Sequence, residues 1–232
     1  DLSDEVPAGD ELSYLTAETP LEYIARPPIK AGFGPYALQI VNIDALKAKD
    51  IVVVNFMATR NRDLTLLRNL GENIFEPINF GISDDELKYV QHLDRDKKPV
   101  FTTPGFTAVA VDDFDRDGYR DAVATGWSSD IVAYFPGVIE GYFADPILTK
   151  VHGSPRDLVV HDFDRDGQKD LAVLAYRTHE IVLLKGIGYG AFEEVNRFVT
   201  RGTLPVSLGL GDLNNDSKQD LIVGHSHADD SI

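Results

Sequence analysis

A nine-residue stretch rich in aspartate occurs twice in full. Asp113-Phe-Asp115-Arg-Asp117-Gly118-Tyr119-Arg-Asp121 returns as Asp162-Phe-Asp164-Arg-Asp166-Gly167-Gln168-Lys-Asp170. An altered third copy reads Asp212-Leu-Asn214-Asn-Asp216-Ser217-Lys218-Gln-Asp220. Side chains at alternate positions 1, 3 and 5 of a tight loop can converge on one point. A glycine at position 6 permits the sharp turn, position 7 offers its carbonyl, and position 9 returns a carboxylate from the start of the next strand. Such an all-oxygen set suits calcium, a hard cation that takes about six to eight oxygens at roughly 2.3–2.6 Å. Magnesium, which keeps several waters in a rigid octahedron, fits less well. Four carboxylates this close would repel one another without a cation, which itself argues for a bound ion. The expected ligands are Asp113, Asp115, Asp117, the Tyr119 carbonyl and Asp121; Asp162, Asp164, Asp166, the Gln168 carbonyl and Asp170; and Asp212, Asn214, Asp216, the Lys218 carbonyl and Asp220. Two to three structural calcium ions follow. Ser217 in place of glycine strains the third turn and weakens that site. A fourth, eroded copy, Asn42-Ile-Asp44-Ala-Leu46-Lys-Ala-Lys-Asp50, has leucine at position 5 and is expected to hold no ion.

Other chemistries fit less well. An EF-hand needs glutamate at position 12 between helices, and position 12 here is Ala124, Val173 or Val223. Glycosidase carboxylates are not packed three in five residues. No GxSxG, HExxH or P-loop context occurs, so no catalytic residues are assigned. His225 and His227 would share a face of a continuing strand, but two histidines without a third ligand read as surface residues. Trp127, Tyr134 and Tyr142 could form a sugar platform, although packing between sheets is the simpler reading.

The loops must be positioned by repeating elements. Their starts are 49 and 50 residues apart, and the eroded copy begins 71 residues before Asp113. Each loop follows a short apolar run: Ala37–Val41, Ala108–Val111, Leu158–Val160 or Leu208–Leu210. A second run follows it: Ile51–Val54, Ala122–Ala124, Leu171–Leu174 or Leu221–Val223. Third runs lie at Leu64–Leu67, Ile131–Phe135 and Ile181–Leu184, and more polar fourth runs at Phe75–Phe80, Phe143–Leu148 and Phe192–Val199. Short runs rich in Val, Ile and Phe between Gly, Pro and Asp read as strands. Four strands per unit of about 50 residues is the arithmetic of a propeller blade. The expected fold is therefore all-β, a β-propeller of four-stranded antiparallel blades. Its units are about 35–81, 106–150, 155–200 and a partial 205–232, within a repeat region 19–232. The longer first spacing is read as an insertion over 82–98, with a short helix capped by Ser83 and Glu86 and carrying Leu87, Val90 and Leu93. Leu21–Lys30 reads as an isolated outer strand, and residues 1–18, with six acids, as an extended acidic arm. About four blades fall short of a ring, so the chain is expected to be a fragment of a larger propeller.

The loop D-x-D-x-D-G-x-x-D, an apolar strand after it and a Gly-Pro-type turn seven residues before it resemble the FG-GAP/VCBS repeat, the blade of the integrin-α-like propeller. The resemblance covers about residues 19–232 and is specific in the two complete loops. It implies a propeller that is usually seven-bladed, with calcium loops between the first and second strands of a blade. Integrin propellers carry disulfides and this chain has no cysteine, which points to a bacterial exported protein rather than an animal receptor.

The chain has 232 residues and a formal charge of −16, with 38 acids against 22 bases. That acidity argues against binding a phosphate backbone, so no nucleic-acid partner is expected. No apolar run is long enough to span a membrane. Eleven aspartates lie in the three loops, and setting them aside leaves only −5 of the −16. Most of the excess acid is thus local to the loops, and the partner need not be basic. The functional expectation is a calcium-stabilised, non-catalytic module that binds a protein or a cell-surface glycan, as an accessory subunit of an exported assembly. The alternative is a lectin or a carbohydrate-active lyase or hydrolase built on the propeller. An extracellular or periplasmic location is expected, because calcium is abundant there.

Overall fold

The computed structural model describes residues 11–227 except 14, 20–21, 45–47, 59–61, 73, 84–91, 94–98, 101–102 and 140. Among the described residues the secondary structure is entirely β, and no helix is long and apolar enough to cross a membrane. Near the N-terminus, β1 (Glu11–Leu12) pairs with β4 (Ile29–Lys30), and β2 (Leu15–Thr19) forms a hairpin with β3 (Glu22–Ala25). The stretch 21–30, expected as one isolated strand, is therefore two short strands. Each pairs with a segment read from sequence as part of the acidic arm or its edge.

The first four-stranded sheet is β5 (Pro35–Val41), β6 (Asp50–Asn55), β7 (Leu64–Asn69) and β8 (Phe75–Phe80), antiparallel in chain order. Most of the 82–98 insertion lies outside the described residues. Within it β9 (His92–Leu93) pairs with β10 (Pro99–Val100), so Leu93 sits in a strand and not in the expected helix. The second sheet joins β11 (Phe106–Asp112), β12 (Asp121–Gly126), β13 (Ile131–Phe135) and β16 (Ile147–Lys150). A small hairpin, β14 (Gly137–Val138) with β15 (Tyr142–Phe143), is inserted ahead of β16. The fourth run expected at 143–148 is thus split. Pro146 cannot donate to a ladder, and the outer strand begins only after it. The third sheet is β17 (Pro155–His161), β18 (Asp170–Ala175), β19 (Glu180–Gly186) and β20 (Phe192–Val199), and β21 (Thr203–Gly211) pairs with β22 (Asp220–His227).

All four inner strands carry a register shift at the same place, after Pro35, Phe106, Pro155 and Pro205. The sheets stack in series, β5 against β11, β11 against β17 and β17 against β21. The middle strands are buried on both faces, so they read as unbroken apolar runs rather than alternating ones. Val52, Val54, Leu64 and Leu66 of the first sheet pack with Phe106, Ala122, Ala124 and Phe135 of the second. Val123, Val132 and Tyr134 of the second pack with Leu171, Val173 and Phe192 of the third. The edge-to-face contact Phe114–Phe192, with centroids 6.1 Å apart, ties the β11–β12 loop to the third sheet, and Phe106–Phe135, also 6.1 Å apart, packs within the second. The stacking holds each inner-to-second-strand loop at the same end of its sheet.

Candidate metal centre

The three acidic loops join β11 to β12, β17 to β18 and β21 to β22, and the eroded loop joins β5 to β6. Their backbones are folded by their own side chains. In the first loop Asp115 Oδ1 accepts the Asp117 amide at 3.1 Å, Asp117 Oδ1 the Tyr119 amide at 2.8 Å and Asp113 Oδ2 the Gly118 amide at 3.2 Å. The second loop repeats these bonds through Asp164, Asp166 and Asp162 at 3.0, 2.7 and 2.8 Å. In the third, Asn214, Asp216 and Asp212 do the same at 2.9, 2.9 and 2.8 Å. Position 6 is left-handed throughout, with φ 92° at Gly118, 87° at Gly167 and 64° at Ser217. Only glycine adopts that conformation without cost, so Ser217 carries the strain expected of it.

The aspartate at position 9 has a role that ligand spacing does not reveal. Asp121 Oδ2 accepts the Phe114 amide at 2.8 Å and Oδ1 the Gly137 amide at 2.6 Å, tying the loop to the end of β13. Asp170 repeats this with Phe163 at 2.8 Å and Gly186 at 2.9 Å. Asp50 does so in the eroded loop, accepting from Ile43 and Asn69, both at 2.9 Å. Asp220 accepts from Leu213 at 2.9 Å. The clamp persists at Asp50 where position 5 has lost its acid, so it is a folding device first. Gly137 and Gly186 serve it by close approach: a β-carbon on either would meet the Arg120 or Lys169 carbonyl oxygen at 2.3 Å.

Two groups of acids converge. Asp113, Asp115 and Asp121 each place a carboxylate oxygen within 4.8 Å of the others, and so do Asp162, Asp164 and Asp170. Asp117 and Asp166 lie outside these triads, on the exposed limb of each turn, as does Tyr119, whose expected contribution is a carbonyl; Gln168, expected to contribute likewise, is half-buried, with its Oε1 buried and unpartnered. The third loop forms no acid triad: Asn214 stands at position 3, and Asp212 already accepts two amides, from Asp216 at 3.1 Å and Ser217 at 2.8 Å.

The two triads fit a cation on evidence other than their acidity. Asp113 Oδ1 and Asp162 Oδ1, both at position 1, are buried and have no hydrogen-bond partner. A buried carboxylate oxygen left unpaired is costly. The Tyr134 hydroxyl, on a residue 1 % exposed, sits near Asp115 and Asp121 yet makes no hydrogen bond of normal geometry. Burial pushes this hydroxyl well above the usual tyrosine range, and the charges of Asp121 and Asp115 push it further. Burial raises Asp121 to about 6, against the Gly137 and Phe114 amides, which favour its charged form. The first triad is therefore a partly buried site short of positive charge. In the second loop, Lys185 contacts both Asp164 and Asp166. Its hydrogen bond holds Asp166 below the usual carboxylate range.

A family model described as FG-GAP-like repeat matches residues 113–173 and again 162–223. The chain carries two FG-GAP-like repeats. Each repeat opens on a complete acidic loop and ends in the second strand of the next sheet. No curated protein matches the chain. Among solved structures, the chain is similar to a chain of the Photorhabdus luminescens Tc holotoxin pore. That likeness has 17 % identity and a TM-score of 0.46, and it covers 94 % of this chain but 10 % of that one. It is also similar to a functionally unknown protein from Desulfotomaculum acetoxidans, at 15 % identity and a TM-score of 0.42, over 88 % of this chain and 67 % of that one.

The remaining candidates fall outside the FG-GAP-like loops. β22 continues through both His225 and His227, and the buried Nε2 of His225 has no partner, but no metal-capable group among the described residues includes His225. Trp127 stacks on Tyr176 with centroids 4.6 Å apart, and Arg156 lies over both rings, so it packs between sheets. Tyr142 lies under Arg68, and Tyr134 is core, with Gly190 pressed flat against its ring. Lys185 and Arg68 were not singled out from sequence. The signal that could have found them is their shared place in the repeat, one residue past the strand pairs Leu171–Leu184 and Ile51–Leu67.

Proposed function

We propose that this chain is a calcium-stabilised module of propeller blades that presents a rigid surface to a protein or cell-surface partner outside the cytosol. Asp113, Asp115 and Asp121 would hold one ion with Asp117 and the Tyr119 carbonyl. Asp162, Asp164 and Asp170 would hold another with Asp166 and the Gln168 carbonyl. Asp212, Asn214, Asp216, the Lys218 carbonyl and Asp220 form a weaker third set. The observation that carries the reading is the pair of buried, unpartnered oxygens, Asp113 Oδ1 and Asp162 Oδ1, at one position of two converging acid triads. The ion's contribution is charge neutralisation and crosslinking of a loop to its own strand. Closure of these sheets into a complete propeller, export, and a role as an accessory subunit belong to the same proposal. Calcium-rich compartments suit loops this open to solvent.

The test is thermal unfolding of the full chain in calcium and in chelator. Chelation lowers the melting temperature, and Asp115→Ala with Asp164→Ala reproduces part of the loss. Superimposable melting curves in the two conditions would falsify the metal reading. The partner is then sought by affinity capture with the calcium-loaded chain as bait and the chelated chain as control.

A further inference from the structure

The loops differ at one place that faces their acids. Past the strand pairs Ile51–Leu67, Ala122–Phe135 and Leu171–Leu184, the next residue, in the third strand or just after it, is Arg68, Pro136 or Lys185. Arg68 donates from Nε to Asp44 Oδ2 at 3.1 Å, at position 3 of the eroded loop. Lys185 Nζ contacts Asp164 Oδ2, also at position 3, and lies 2.8 Å from Asp166 Oδ2. Pro136 carries no charge, and among the described residues no lysine or arginine forms an ion pair with Asp113, Asp115 or Asp121. A second cation follows the same division. The Arg116 guanidinium lies against the second loop, with Nη2 2.4 Å from where a β-carbon on Gly167 would stand. The residue at the same place in the loop before the first triad is Ala45.

We infer that the residue past the strand pair sets how far each loop depends on metal. The inference rests on the calcium reading above. A tethered cation at the position 3 carboxylate neutralises the loop from within, and an incoming dication must displace it. Arginine cannot lose its proton and pairs with carboxylates in fixed geometry, so Arg68 replaces the ion outright in the loop that has lost its position 5 acid. Lysine is a compact charge on a flexible stem, so Lys185 covers the second triad in the absence of metal and swings clear when an ion binds. The first triad has no such cover. It is the tighter calcium site and the more strained one when empty. Lys185 is thus a positioning residue for the metal-free loop and a competitor for the metal-bound one.

The experiment is a calorimetric titration of the full chain with calcium chloride, in wild type, Lys185→Met and Pro136→Lys. At the two triads the wild type is expected to show one tighter and one weaker site, apart from the still weaker third set. Lys185→Met tightens the weaker site about tenfold and leaves the other unchanged, whereas Pro136→Lys weakens the tighter one by a similar factor. Melting supplies a readout that a merely structural lysine would not give. Lys185→Met melts below wild type in chelator and recovers to it, or above, in saturating calcium. Calcium binding by the wild type with weak-site affinity unchanged in Lys185→Met, and tight-site affinity unchanged in Pro136→Lys, overturns this inference and leaves the metal reading standing. No calcium binding by the wild type overturns both.

Discussion

Replacing Asp50 with alanine separates the clamp at position 9 from metal binding. Asp50 is 1 % exposed and accepts the Ile43 and Asn69 amides at 2.9 Å each, in a loop expected to hold no ion. Alanine leaves the Ile43 amide buried without a partner, at a cost of about 1–3 kcal/mol. The Asn69 amide is only partly buried and regains water, so its loss costs about 0.5–1.5 kcal/mol. Together Asp50→Ala destabilises by roughly 2–4 kcal/mol, a fall of about 5–15 °C for a chain of this size. Asp121→Ala breaks the same pair of bonds, at 2.8 and 2.6 Å, and also removes a carboxylate from the first triad. The assay is urea and thermal unfolding of wild type and both variants, each in calcium and in chelator. The deficit of Asp50→Ala is the same in the two conditions. That of Asp121→Ala grows in calcium by the binding energy forfeited, about 2.7 kcal/mol when calcium stands a hundredfold above its dissociation constant. An Asp50→Ala variant within about 0.5 kcal/mol of wild type, or one whose deficit depends on calcium, refutes the clamp.

Two further outcomes are expected. Ser217→Gly removes a side chain from a residue at φ 64° and stabilises the chain by about 1 kcal/mol in urea unfolding; a neutral or destabilising result would show that the third turn is not strained. Burial pushes Asp63 up to about 6, against the Ile82 amide that its Oδ2 accepts at 3.0 Å. A carboxyl whose folded value lies above its unfolded value of 3.8 contributes stability below that value and loses it as pH rises through about 6. The stability difference between wild type and Asp63→Asn therefore shifts by up to about 3 kcal/mol between roughly pH 4 and pH 7, with wild type losing ground as pH rises, and a pH-independent difference contradicts the assignment.

Much of this architecture is legible in the chain because its determinants are local. Alternating aspartates with glycine at position 6 specify a self-bonded turn, and the Asx bonds of all three loops run between neighbours in sequence. The second runs read as strands because they are continuous and apolar, and the structure buries those of β12 and β18 completely, whereas Ile222 of β22 is exposed. The readings that failed depended on partners distant in sequence. The segment 21–30 was read as one strand, but its register is set by residues 11–12 and 15–19. The fourth run of the second sheet is cut at Pro146, and a hairpin that only backbone pairing reveals takes Phe143.

The amino-acid sequence by itself determined that oxygen-rich loops recur on a strand repeat, because side chains a few residues apart must share one turn. Only the tertiary structure decided which acids meet, which oxygens are left unpaired, and which loop has a cation laid over it. The last of these depends on a residue next to the loop in space, Lys185, 21 residues from Asp164, being folded back over it by sheet pairing. Electrostatics acts through space, and in this chain the strand ladder determines which charges are close.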